Sequence, residues 1–153
     1  MEKSNFHDKN KKENPEPIEK QRINKDPLEE ILYHTEKRGL ILILEDEPSI
    51  IKMYKRVFKN YNCRFISTLK EGEEELNKLG MERMEPSILI TDYHLPDGVS
   101  TSFVSKVMEM YPKIKVILSS SDEHAKFDVK YDVILEKGQV LKIKDKVDEF
   151  LSQ

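Results

Sequence analysis

The chain has 153 residues, 36% of them charged and 37% hydrophobic, with a formal net charge of −3. That length holds one ordinary domain with a real hydrophobic core plus a short extension. The acidic balance excludes the basic footprint of direct nucleic-acid binding. No window approaches the roughly 20 apolar residues of a membrane span, and the N-terminus lacks the apolar core and cleavage site of a secretion signal. A single cysteine, Cys63, excludes an intrachain disulfide and a cysteine metal cluster. A cytoplasmic location is therefore expected, with Cys63 read as a small buried side chain in a strand.

The first 26 residues carry seven Lys/Arg and six Asp/Glu, with Pro15 and Pro17 among them. So polar a stretch cannot offset its ordering entropy by burial, and residues 1–26 are expected to be a disordered extension. Asp26-Pro27 reads as a helix cap followed by proline at the first helical position. Leu28, Ile31 and Leu32 then share one face, which predicts an amphipathic helix over 27–38, stopped by Gly39. Residues 39–153 form the remaining domain.

Leu40 to Leu44 is an unbroken apolar run, as expected of a parallel strand covered on both faces. From Pro48, apolar residues at spacings of three and four predict a helix ending near Asn60. Cys63 to Thr68 reads as a second strand, Glu71 to Leu79 as a polar helix and Ser87 to Thr91 as a third strand. Pro96-Asp97-Gly98 is a turn signal, and Ser100 is positioned to cap the helix that carries Phe103, Val104, Val107 and Met108. Val116 to Leu118 and Val133 to Leu135 complete five strands, and Val140 to Leu151 is the closing helix. Strands alternating with helices imply an α/β doubly wound parallel sheet, expected in the order 2-1-3-4-5. The stretch from Ser121 to Asp132 is short for a crossover, so the fourth helix is shortened or missing.

Polar residues recur where the apolar runs end, at the rim where open parallel sheets bind ligands. Glu45 and Asp46 close strand one, Asp92 closes strand three, Ser119 and Ser120 close strand four, and Lys137 follows strand five. With strands one and three adjacent, three carboxylates converge and require a positive partner. Oxygen-only ligands favour Mg²⁺. A carboxylate beside such an ion can act as nucleophile toward a phosphoryl donor, with Lys137 and the ion neutralising the product. A strand-four hydroxyl would meet a remaining phosphoryl oxygen. Taken one at a time these residues read as turn formers, helix caps or solvated charges; their coincidence on one rim carries the argument.

Leu42-Ile43-Leu44-Glu45-Asp46-Glu47-Pro48, Asp92-Tyr93-His94-Leu95-Pro96-Asp97-Gly98 and Lys137 resemble the signatures of response-regulator receiver domains, with the first two motifs 46 residues apart. The resemblance covers Gly39 to the C-terminus and implies the flavodoxin-like fold of two-component signalling. It implies phosphoacceptance at Asp92 and Mg²⁺ ligation by Asp46, Asp92 and the backbone carbonyl of His94, with Glu45 acting through water. It further implies Ser120 as the switch hydroxyl and Lys137 as the phosphate-pairing lysine. The side chain of His94 lies where the family tunes dephosphorylation.

Two departures stand out. Gly138 follows Lys137 where the family usually has proline, and Ile134 occupies the position of its aromatic switch residue. The expected function is a stand-alone receiver, not an enzyme, phosphorylated by a histidine kinase or histidine phosphotransfer protein and signalling to another protein by direct contact. Two other classes are weighed beside it: a degenerate receiver serving as a phosphorylation-independent scaffold, and a Mg²⁺-dependent phosphatase on a related fold. The latter typically needs a second Asp two residues after the nucleophile, where this chain has His94.

Overall fold

The computed structural model describes residues 26–28, 39–125 and 128–153. At Asp26 the expected cap is present: Leu28 N–H donates to Asp26 Oδ1 at 3.0 Å, and Pro27 and Leu28 are helical. The rest of the 27–38 helix and residues 1–25 of the extension lie outside the described residues.

Five parallel strands make the sheet: β1 (Leu40–Leu44), β2 (Asn62–Ile66), β3 (Pro86–Thr91), β6 (Lys115–Ser119) and β7 (Val133–Leu135). Their order, β2-β1-β3-β6-β7, is the expected 2-1-3-4-5 arrangement once a small hairpin is set aside. That hairpin, β4 (His94–Leu95) against β5 (Gly98–Val99), was not foreseen; the Pro96-Asp97 turn joins its strands. The helices are α1 (Pro48–Val57), α2 (Leu69–Glu82), α3 (Thr101–Met110) and α4 (Val140–Leu151).

Every residue of β1 is buried, because helices cover both faces of the sheet, which is why its sequence is continuous and not alternating. Side chains of successive strand residues then sort into two cores. Leu40, Leu42, Leu44, Leu89, Val116 and Leu118 pack with Leu76 and Leu79 of α2 and Phe103, Val104 and Val107 of α3. Ile41, Ile43, Ile88, Ile90 and Ile117 pack with Ile50 and Tyr54 of α1 and with Val140, Ile143 and Val147 of α4. Gly72 permits the closest helix approach: a Cβ there would come within 2.7 Å of the Phe103 ring.

Several boundaries differ from expectation for identifiable reasons. Helix α1 stops at Val57 and a turn carries the chain to Asn60. Strand β2 ends at Ile66 because Thr68 caps α2: its Oγ1 accepts from Glu71 N–H at 3.0 Å, while Glu71 Oε2 accepts from Ser67 N–H at 2.8 Å. Asp97 completes that helix start by accepting the N–H groups of Leu69 (2.8 Å) and Lys70 (3.0 Å). Between β6 and β7 the described residues make a turn at 123–124 followed by a 3₁₀ residue at Ala125, and no α-helix is found among them, in line with a fourth helix expected to be shortened or missing.

Candidate functional site

The backbone ladder runs one residue past the ends of β1 and β3 and carries the acidic residues with it. Glu45 N–H donates to the Ile66 carbonyl and Asp92 N–H to the Leu44 carbonyl, both at 2.9 Å. Glu45 and Asp92 are thereby fixed side by side and buried, at 2% and 4% exposure. Glu45, Asp46 and Asp92 each offer a carboxylate oxygen within 4.8 Å of the others. Glu45 Oε1 accepts from Asp46 N–H (3.1 Å) and Glu47 N–H (3.0 Å), which ties its side chain to the turn entering α1.

Lys137 reaches into this group from the loop after β7. Its Nζ lies 2.6 Å from Asp92 Oδ2, 3.1 Å from Glu47 Oε2 and 3.3 Å from Glu45 Oε1. Burial pulls the ammonium pKa down, but its bonds to Asp92 and Glu47 prevail and hold it above the usual lysine value. Burial pushes the Glu45 carboxyl above its usual range; the Glu47 N–H opposes that shift and the Asp92 charge reinforces it. Three carboxylates thus face one ammonium with Asp46 adjoining them, an excess of acidic groups made of oxygen donors alone. Such a donor set fits a hard divalent cation of the Mg²⁺ class.

The residue after Lys137 accounts for one departure. Gly138 has φ +93°, which proline cannot adopt and other residues adopt only under strain. The His94 carbonyl, expected among the cation ligands, is placed by the hairpin. Ser100 N–H donates to the Tyr93 carbonyl at 2.8 Å, so antiparallel alternation makes His94 a non-hydrogen-bonded position and turns its carbonyl out of the ladder. The side chain of His94 points elsewhere, with Nε2 2.7 Å from Asp122 Oδ2.

Ser120 stands at the rim beside the site, its Oγ accepting from Asp122 N–H at 3.1 Å. Ser119 faces the opposite side of the sheet with Ile117, toward the Tyr54 phenol and away from Ser120. Ser100 corrects an expectation. It precedes α3, but its hydroxyl does not cap the helix; it donates to the Asp92 carbonyl at 2.7 Å, a bond that Thr91 Oγ1 duplicates at 2.7 Å. Ile134 is 46% exposed on β7 and offers no hydroxyl or ring to the site. Cys63 is half-buried in β2 and burial pushes its thiol up to about 12, which suits a packing role and not a reactive one.

Sequence reasoning missed three participants. Glu47, given no role of its own within the first motif, pairs with Lys137. Asp97 was read as a turn residue, yet it ties the β4–β5 turn to α2. Tyr93 donates its N–H to Asp92 Oδ1 at 2.7 Å and its phenol to Asp128 Oδ2 at 2.7 Å. Only Glu47 carried a local signal, because it adjoins the acidic pair.

The model of the response regulator receiver domain matches residues 41–142, about two thirds of the chain. The chain belongs to that family. A curated relative, a protein-glutamate methylesterase/protein-glutamine glutaminase of Hahella chejuensis, is 29% identical over 83 residues, which are 53% of this chain and 23% of that protein. The match thus spans about a quarter of that relative's length. Among solved structures, the receiver domain of DrrB activated with beryllium fluoride superposes with a TM-score of 0.62 at 21% identity, covering 75% of this chain and 98% of that one. A CheY-like receiver from Methanospirillum hungatei gives a TM-score of 0.58 at 24% identity, over 74% and 97% of the two chains. At such identities these structures establish the fold alone. Receiver domains are signalling modules of two-component systems, generally non-enzymatic, that bind Mg²⁺ at an acidic pocket.

Proposed function

We propose that this receiver accepts a phosphoryl group on Asp92 from a histidine kinase or a histidine phosphotransfer protein and passes the signal on by protein contacts. The observation that carries this reading is the buried Asp92 carboxylate, held at one oxygen by Lys137 Nζ (2.6 Å) and at the other by Tyr93 N–H (2.7 Å), beside Glu45 and Asp46. An oxygen of Asp92 attacks phosphorus and the P–N bond of a phosphohistidine breaks. The imidazole leaves with the electron pair and takes up a proton, and an acyl phosphate remains on Asp92. Tyr93 N–H orients the attacking carboxylate, and Lys137 moves its charge from the carboxylates toward the transferred group. Asp46, Asp92 and the His94 carbonyl, with Glu45 acting through water, would hold Mg²⁺, which would supply further positive charge for this transfer. Ser120, at the rim, accepts from Asp122 N–H and would donate its O–H to a phosphoryl oxygen.

Burying Glu45 and Asp92 together opposes folding unless a cation or a reaction uses them, which favours this reading over a phosphorylation-independent scaffold. The pairing of His94 with Asp122 gives no support to a second acid-base carboxylate at that position, as a phosphatase would need. Incubation with acetyl phosphate and Mg²⁺ is expected to add one phosphoryl group by intact-mass measurement in the wild type and none in Asp92→Asn. Equal incorporation in both would refute the assignment.

A further inference from the structure

The described residues of the connection from β6 to β7 are tied by side chains of Tyr93, His94 and Thr101, which follow β3 in the chain. Asp128 Oδ2 accepts the Tyr93 phenol at 2.7 Å, and the Thr101 hydroxyl reaches the same oxygen at 3.3 Å. A second tie lies one residue on, where His94 Nε2 stands 2.7 Å from Asp122 Oδ2. The two rings that make these ties meet edge to face, with centroids 4.7 Å apart at 84°. Asp122 spreads the second tie further: its Oδ1 accepts His124 N–H at 2.8 Å and its own N–H donates to Ser120 Oγ at 3.1 Å. Ala125, between the two anchors in sequence, is fully buried in the core above α3.

Tyr93 is the point where this fastening meets the acceptor. Its N–H is bonded to Asp92 Oδ1 while its phenol, at the other end of the same residue, is bonded to Asp128. Its carbonyl is held by Ser100 N–H at 2.8 Å, and the carbonyl on the other side of its N–H peptide, that of Asp92, by the Ser100 and Thr91 hydroxyls at 2.7 Å. When Asp92 becomes an acyl phosphate, the carboxylate that the Tyr93 N–H now faces changes charge, bulk and acceptor geometry. The route from that change to the connection is a single residue long. Position 134 offers no competing path, because Ile134 has neither ring nor hydroxyl and is half-exposed.

We propose that Tyr93 is a positioning residue that couples the state of Asp92 to the β6–β7 connection through Asp128, taking the part for which position 134 has no aromatic. This rests on the reading of Asp92 as acceptor, so both must be read in one experiment. The full chain is titrated with beryllofluoride and Mg²⁺, with the fluorine signal of bound beryllofluoride reporting the adduct. The amide shifts of Asp122, Ala125 and Asp128 report the connection. The wild type is expected to show the adduct together with shifts at all three amides. In Asp128→Ala the adduct still forms and Asp122, bonded to Ser120 Oγ, still shifts, but the shift at Ala125 falls to background. Tyr93→Phe gives the same loss, and the double variant loses no more than either single one, as expected of one shared contact. A wild-type adduct with no shift in the connection, or an undiminished Ala125 shift in Asp128→Ala and Tyr93→Phe, would overturn the coupling. Absence of the fluorine signal in the wild type would instead overturn the acceptor reading, and the coupling with it.

Discussion

Over β1 and β3 the rim of the sheet gathers Glu45, Asp46 and Asp92 on strands that are buried along their length; over β6 and β7 it carries Ser120, a half-exposed Ile134 and a connection fastened from outside. In the first half, backbone ladders extended past the strand ends fix the acidic residues directly. In the second, position is set by side chains of the neighbouring loop, so its geometry depends on a few hydrogen bonds between exposed groups. The difference teaches that the proposed acceptor site and its proposed readout are positioned by different means, backbone ladders for one and side-chain hydrogen bonds for the other. One can stay close to the family pattern while the other departs from it.

The largest test of this contrast removes side-chain volume beneath each half. Leu44→Ala, under the acidic residues at a fully buried position, should destabilise the fold by about 2–5 kcal/mol. Leu135→Ala, at the matching end of β7 where the side chain is only half-buried, should cost clearly less. Denaturant titration measures both, and equal losses would break the comparison. Gly138→Ala probes the loop that lends Lys137 to the acidic half. A Cβ there meets nothing within 4 Å, so the penalty is one of backbone conformation, about 1–2 kcal/mol. A neutral result in the same titration would show that the positive φ is not required.

The smallest effect has the opposite sign. Glu45→Gln keeps an oxygen for the Asp46 and Glu47 N–H groups but removes a buried charge, and should stabilise the metal-free protein by about 1 kcal/mol or less at neutral pH. Because folding raises the Glu45 pKa, its contribution to stability is present below the unfolded carboxylate value and is lost as pH rises through the raised folded one. The gain from Glu45→Gln should therefore grow from acid to neutral pH in a series of Tm measurements. Cation affinity should fall in the same variant. A Tm that drops at neutral pH would contradict the picture of a charge-strained pocket.

The sheet and the acidic half were legible in the sequence because both are written in short local patterns. Continuous apolar runs mark strands covered on both faces, and Glu45, Asp46, Asp92 and Lys137 each sit at or just beyond such a run. The other half was only partly legible. That the helix between Ser121 and Asp132 is shortened or missing followed from length, but the fastening of that segment did not. Tyr93–Asp128 and His94–Asp122 join residues 35 and 28 apart in the chain, and nothing local marks them as partners. Ser100 shows the same limit from the other side: its position matched a helix cap, but the nearby Asp92 carbonyl took its hydroxyl. Asp97 likewise caps a helix that precedes it by 27 residues and more, a tertiary contact with no periodic signature.

The central claim is that the phosphoryl group resides on Asp92 and nowhere else in the acidic cluster. Borohydride reduction of the phosphorylated protein, followed by peptide sequencing in the mass spectrometer, converts an acyl phosphate into homoserine and so marks its position. Homoserine at residue 92 alone, formed only when Mg²⁺ was present, is the predicted result. Homoserine at Asp46, the corresponding longer hydroxy amino acid (hydroxynorvaline) at Glu45, or a phosphorylated protein with no reduced residue would contradict it.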